Sequence, residues 1–189
     1  MIAAAYWMQR GLAMALLFAD WSRLALAVLN RLLVLRPGDL YAGVSRARVL
    51  ADLGQKNAAI KCLQQLLLVH PKHAASWYQL AYLLETCERH AESEPVFRSA
   101  LAIDPDMDEA WFGLAMLLVR EERLAEAVTA LEQTTRLQPL SAHVWYQLGK
   151  VHAKLAQPEK ALEVIRRLRS FEPQVANRLA GEIGLSGLK

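Results

Sequence analysis

"PKHAASWYQLAYLLETCERHAESEPVFRSALAIDP" (residues 71–105) runs from one proline to another 34 residues later, and the architecture follows from that interval. Between the prolines lie two alanine- and leucine-rich stretches, 74–87 and 90–103, which favour helix. Pro105 closes the second, because the residue before a proline is pushed out of the α region. Five of the seven prolines stand at 37, 71, 105, 139 and 173, ending "LNRLLVLRP", "LQQLLLVHP", "FRSALAIDP", "LEQTTRLQP" and "IRRLRSFEP". The tetrad "WYQL" appears at 77–80 and again at 145–148, with "WFGL" midway at 111–114. A fixed period of this length marks a stack of like supersecondary units.

Composition agrees with a packed helical chain. At 54% hydrophobic and 22% charged, the 189 residues can bury a large core and are not a disordered segment. The net charge of +3 is small and the basic residues are spread along the chain, which argues against a dedicated nucleic-acid surface. The densest basic run, Arg166, Arg167 and Arg169, reads as a solvated helix face. Cys62 and Cys87 form no CxxC pair, and they read as reduced thiols in a helical core. The opening "MIAAAYWMQRGLAMALLFAD" resembles a signal peptide superficially, but Gln9 and Arg10 split its apolar run and no charge precedes it. No uninterrupted apolar stretch reaches the roughly 18 residues of a membrane span. The expectation is a soluble, cytoplasmic protein.

Catalytic and cofactor motifs are missing from the sequence. "LGKV" lacks the upstream glycine and the following Ser or Thr of a phosphate loop, and neither G-x-S-x-G nor H-E-x-x-H occurs. His70 and His73 flank Pro71 and read as turn residues rather than metal ligands. His152 lies on an apolar face and reads as a satisfied core histidine. Glu121-Glu122 and Asp104, Asp106 and Asp108 fall in turns, where carboxylates cap helix starts. The expectation is no enzyme, no cofactor and no metal.

The repeat resembles the tetratricopeptide repeat (TPR) family, whose pattern is W-x2-L-G-x2-Y, then a small residue, an aromatic, Ala and Pro. The third unit supplies Trp77, Leu80, Ala81, Leu84, Ser93, Phe97, Ala100 and Pro105 at those positions. The fourth supplies Trp111, Leu114, Ala115, Leu118, Ala127, Leu131, Thr134 and Pro139, and the fifth Trp145, Leu148, Gly149, His152, Ala161, Ile165, Leu168 and Pro173. Unit two has Gly43 where Trp is expected. Unit one has Gln9 there in strict register, while Trp7 and Gly11 fit a frame shifted by two, so its register stays open. The resemblance implies an all-α solenoid, a right-handed superhelix of antiparallel helix pairs over 1–189. Repeats fall near 6–39, 40–73, 74–107, 108–141 and 142–173, with a capping helix near 174–183. The helices are expected at 4–19, 22–36, 40–53, 56–69, 74–87, 90–103, 108–121, 124–137, 142–155 and 158–171. Pro95 sits several residues into one of these, which suggests a late start capped by Ser93.

In this family the first helix of each pair lines a concave groove. The resemblance therefore places Tyr41, Val44, Arg48, Tyr78, Tyr82, Phe112, Met116, Arg120, Tyr146, Lys150 and Lys154 on that face. Tyr, Phe and Met there suit an apolar peptide or amphipathic helix, and the four cations would reject wrongly charged partners. The alternative is that neighbouring helices or the C-terminal helix cover these residues. A carboxylate clamp for chaperone tails is not implied, since its positions hold Tyr78, Tyr82, Gly113, His143 and Gln147. The implied function is a non-catalytic adaptor, assembly factor or chaperone. A secretion or pilus-assembly chaperone with one apolar client stands as the alternative, and nucleic-acid binding as a distant third. Unit one runs "LALAVLNRLLVL", apolar all round, where a solenoid end needs a polar face. It is expected to be covered by self-association or by a partner.

Overall fold

The computed structural model describes residues 2–185, so position 1 and positions 186–189 of the expected array lie outside the described residues. The described residues form eleven helices and no strand. The chain divides into two compact units just before Pro105, Met1–Ile103 and Asp104–Lys189.

The first unit holds α1 (Ile2–Phe18), α2 (Ser22–Leu35), α3 (Leu40–Asp52), α4 (Lys56–Val69), α5 (Ala74–Thr86) and α6 (His90–Ile103). They pack as the hairpins α1/α2, α3/α4 and α5/α6. The second unit holds α7 (Asp108–Arg120), α8 (Leu124–Leu137), α9 (Ala142–Lys154), α10 (Pro158–Arg169) and α11 (Pro173–Glu182). Here α7 pairs with α8 and α9 with α10, and α11 packs on both α9 and α10.

One backbone device closes every hairpin. Asp20, Gly54, Glu88, Glu122 and Ala156 all have positive φ, from 54° to 76°, and stand one repeat apart. The following amide of each reaches back to the last turn: Trp21 N to Leu16 O at 2.9 Å, Gln55 N to Leu50 O at 2.8 Å, and Arg89 N to Leu84 O at 2.9 Å. Arg123 N to Leu118 O and Gln157 N to His152 O, both at 2.9 Å, complete the series. This is the six-to-one bond of a left-handed helix C-cap, which satisfies a carbonyl the helix would otherwise orphan. Asp20 falls in the same series, so unit one keeps strict register. Ala13 and Leu16 are buried where Ala81 and Leu84 are buried in unit three. Trp7 is 59% exposed and Gly11 meets open space, so the shifted frame is not adopted.

A second device sets the turn between hairpins. The indole N–H groups of Trp77, Trp111 and Trp145 donate to the carbonyls of Pro71, Pro105 and Pro139, at 2.8, 2.8 and 3.0 Å. Each pair is six residues apart, so the Trp that fills the hairpin also holds the proline turn leading into it. Gly43 replaces this Trp in unit two, and Leu66 takes the space: a Cβ on Gly43 would stand 2.6 Å from Leu66 Cδ1.

Pro95 does not delay its helix. α6 begins at His90, with Arg89 gripping Glu92 through two 2.7 Å bonds across the first turn. Ser93 is buried and donates its hydroxyl to Ala81 O at 2.8 Å, tying α6 to α5 instead of capping. Pro95 lies inside the helix and removes the one bond its amide would have made.

The two histidine turns and the histidine on the apolar face of α9 have partners. His152 is buried with Nδ1 2.9 Å from Gln157 Oε1. His73 caps α5, its Nδ1 accepting from Ser76 N at 3.2 Å, and His70 Nε2 lies 2.7 Å from Gly38 O. Cys62 is buried and Cys87 half-buried, both as free thiols. Burial pushes the Cys62 thiol up, with Arg46 opposing.

Candidate functional site

In the first unit, α3 and α5 wall a cleft of about 180 Å³ floored by Leu63 of α4. Asp39 starts α3 by accepting from Ala42 N at 2.7 Å, which fixes the rotation of the helix. Four-residue spacing then puts Ala47 and Ala51 side by side, and likewise Arg48 and Asp52. All four line the cleft. The two alanines leave the space, and the two charges stand exposed at its edge. From α5, Tyr78 and Tyr82 face the same space at the same spacing, joined by Gln79 and Leu83. Tyr78 is half-buried, its ring centred 6.3 Å from Phe97 and 6.4 Å from Tyr82, while Tyr82 is 52% exposed. The site is a small apolar socket with an aromatic wall and one charge of each sign at its rim. Such a socket has the shape and lining to accommodate an apolar side chain.

Of the expected groove residues, the structure brings Arg48, Tyr78 and Tyr82 together here. Tyr41 lies outside the cleft beneath the Arg10 guanidinium, 4.7 Å from its ring, and Val44 packs into the core of the first unit.

The second unit differs. Phe112 packs on His143 at 5.3 Å between centroids, and Met116 is half-buried. Arg120 is exposed at the end of α7. Tyr146 is not an open groove residue: α11 covers it, leaving 8% of its surface exposed. Its hydroxyl donates to Glu182 at 2.5 Å, and Arg178 lies 4.6 Å from its ring. That hydrogen bond, then burial, holds the Tyr146 hydroxyl above its usual range, and the same bond holds Glu182 below the usual carboxylate range. Lys150 reaches Glu182 at 3.6 Å and Lys154 reaches Glu122 at 3.5 Å. The expected selector cations Lys150 and Lys154 thus have acidic partners in their own unit. Glu182 and Arg178 were not singled out from sequence, since the helical repeat ends at Pro173 and gives their positions no assigned face.

Among the described residues, no group of three or more His, Cys, Asp or Glu side chains could hold a metal ion, and no helix is long and apolar enough to cross a membrane.

Three family models, each described as tetratricopeptide repeat, match residues 44–108, 88–146 and 142–174. No curated protein sequence matches the chain. Among solved structures, MamA 41-end from Desulfovibrio magneticus RS-1 is 19% identical with a TM-score of 0.80, over 88% of this chain and 94% of that one. YrrB, described as a TPR protein with an unusual peptide-binding site, is 23% identical with a TM-score of 0.75, over 89% and 88%. PilF of Pseudomonas aeruginosa is 16% identical with a TM-score of 0.78, over 97% and 86%.

Proposed function

We propose a function from one premise, that this chain belongs to the tetratricopeptide repeat family: it is a non-catalytic protein-interaction module that captures an extended or helical segment of another protein. The observation that carries the reading is the α3/α5 cleft, where Arg48, Tyr78 and Tyr82 converge on an apolar floor. An aliphatic or aromatic side chain fills the socket between Ala47, Ala51 and Leu63. Tyr78 and Tyr82 supply contact area at low rotamer cost, and Arg48 and Asp52 set which charges are tolerated beside it. The peptide-binding site named for YrrB supports the same reading. An adaptor, assembly factor or chaperone would use the cleft in this way.

Selection from a random peptide library against the whole chain tests it. The wild type should enrich peptides sharing an apolar anchor. Tyr82→Ala and Arg48→Ala should each weaken the selected peptides about tenfold or more while leaving helicity and melting temperature unchanged, since both residues are exposed. Enrichment of nothing, or variants that bind as the wild type does, refutes the site.

A further inference from the structure

The first hairpin carries an apolar surface that no described element covers, with Trp7 touching the fold through Tyr6 and Arg10. Tyr6, Ala13 and Leu16 turn one side of α1 into the core. On the opposite side Trp7, Met8, Leu12, Met14 and Phe18 are 50–95% exposed, and the residues between them on that face are glycine and alanine. At 100° per residue these positions cover about 160° of the helix, and the Trp7 indole N–H is the one polar side-chain group among them. Val34 and Leu35 of α2 extend the apolar surface, across a notch they share with Gln9, Asn30 and Arg31.

Charge says what covers it. Residues 1–36 contain four arginines, at 10, 23, 31 and 36, and a single acid, Asp20. That balance equals the whole net charge of +3, so the remaining repeats are neutral together. Arg10 and Arg36 stack on rings, 4.7 Å from Tyr41 and 4.0 Å from Tyr6. Arg31 is exposed at the notch where α2 meets α1, and Arg23 is exposed at a notch it shares with Asp20 and Asp52. A second copy seated on this face would bring like charges together round a two-fold axis. A protein partner would ordinarily find about one hydrogen bond per 100–200 Å² of interface, and the outer side of α1 offers only an indole N–H. An anionic lipid surface makes neither demand: hydrocarbon accepts the face without directional matching, and headgroups accept the arginines.

We propose that α1 is a docking helix that lies in the interface of an anionic membrane, burying its outer face without crossing. Its 17 residues span about 25 Å, short of the roughly 30 Å hydrocarbon core, and its inner side stays on the protein. Trp7 within α1 and Trp21 just past its end are 59% and 60% exposed, and indoles favour the headgroup boundary.

Flotation of the full chain with vesicles tests this. The protein should float with vesicles containing phosphatidylglycerol and at least tenfold more weakly with pure phosphatidylcholine. Arg23→Gln with Arg31→Gln should weaken binding to the anionic vesicles about 30-fold. Met8→Ser with Phe18→Ser should abolish flotation on both, with the melting temperature and peptide capture at the α3/α5 cleft unchanged, because the two side chains are 73% and 95% exposed and neither lines that cleft. No flotation of the wild type, or serine variants that float equally well, overturns the proposal. So does a dimer in sedimentation that is lost in the serine variants and ignores vesicles, which would assign the face to a second copy.

Discussion

Replacing Gly149 by alanine should destabilise the second unit by up to about 2 kcal/mol, overpacking of about 1–3 kcal/mol outweighing the roughly 1 kcal/mol that alanine gains over glycine inside a helix, even though alanine is what the repeat carries at this position in the two preceding units. Ala81 and Ala115 are fully buried there without conflict. At Gly149 an added Cβ would stand 2.5 Å from Leu179 Cδ2 and 3.2 Å from Val164 Cγ1. Leu179 has no exposed surface and Val164 has 4%, so the leucine cannot swing away and α11 must shift instead. Leu179→Ala alone should cost about 2–5 kcal/mol as a buried large-to-small change. The double variant separates the two effects, because shortening Leu179 vacates the space that the new Cβ needs. It should therefore cost at least about 1 kcal/mol less than the two single changes added together. Urea unfolding followed by circular dichroism at about 25 °C gives all three values. A Gly149→Ala variant more stable than wild type by about 1 kcal/mol, the gain of an unobstructed helix position, would remove the steric argument. Strict additivity in the double variant would remove the claim that α11 is what the glycine accommodates.

The hairpin turns give a second test: Glu88→Gly and Ala156→Gly should each stabilise by about 0.5 kcal/mol. The left-handed backbone costs a side-chain-bearing residue about 1–2 kcal/mol, and the extra freedom of glycine in the unfolded chain cancels part of the relief. Gly54→Ala, at φ 76°, should lose about 1 kcal/mol; thermal melts that rank these variants the other way would show that the turns are not strained. The contact between Tyr146 and Glu182 predicts a pH window for α11. Glu182 is lowered from a usual 4.5, so its contribution is present above that value and lost as pH falls through its folded value. Tyr146 is raised from a usual 10.0, so its contribution is present below that value and lost as pH rises through its folded value. The stability difference between wild type and Glu182→Gln should accordingly be flat between the two limits and shrink beyond each. A difference that stays constant from neutral pH down to strong acid, below both the free and the folded carboxyl, would mean the hydrogen bond contributes nothing.

The helices were legible because their boundaries rest on local chemistry repeated five times. Pro37, Pro71, Pro105, Pro139 and Pro173 each stop a helix by the same clash, and the observed ends fall within two residues of those expected from them. The Pro-to-Trp interval of six was also visible at 71–77, 105–111 and 139–145, although a sequence does not reveal that the indole bonds to the proline carbonyl. The turn ladder was half hidden: Gly54 signals a left-handed residue, whereas Asp20, Glu88, Glu122 and Ala156 adopt the same φ with no such signal. There the tertiary pairing of the two helices overrides the local preference. The site was less legible than the fold, for a physical reason. A repeat position fixes which way a side chain leaves its helix, but its occupancy depends on what lies opposite, and that varies from unit to unit. Tyr78 and Tyr146 share one repeat position. Tyr78 lines a cleft, whereas Tyr146 lies under α11, bonded to an acid 36 residues further on. Periodicity could place both tyrosines on one face, and only the non-repeating helix that ends the array decides which of them can meet a partner.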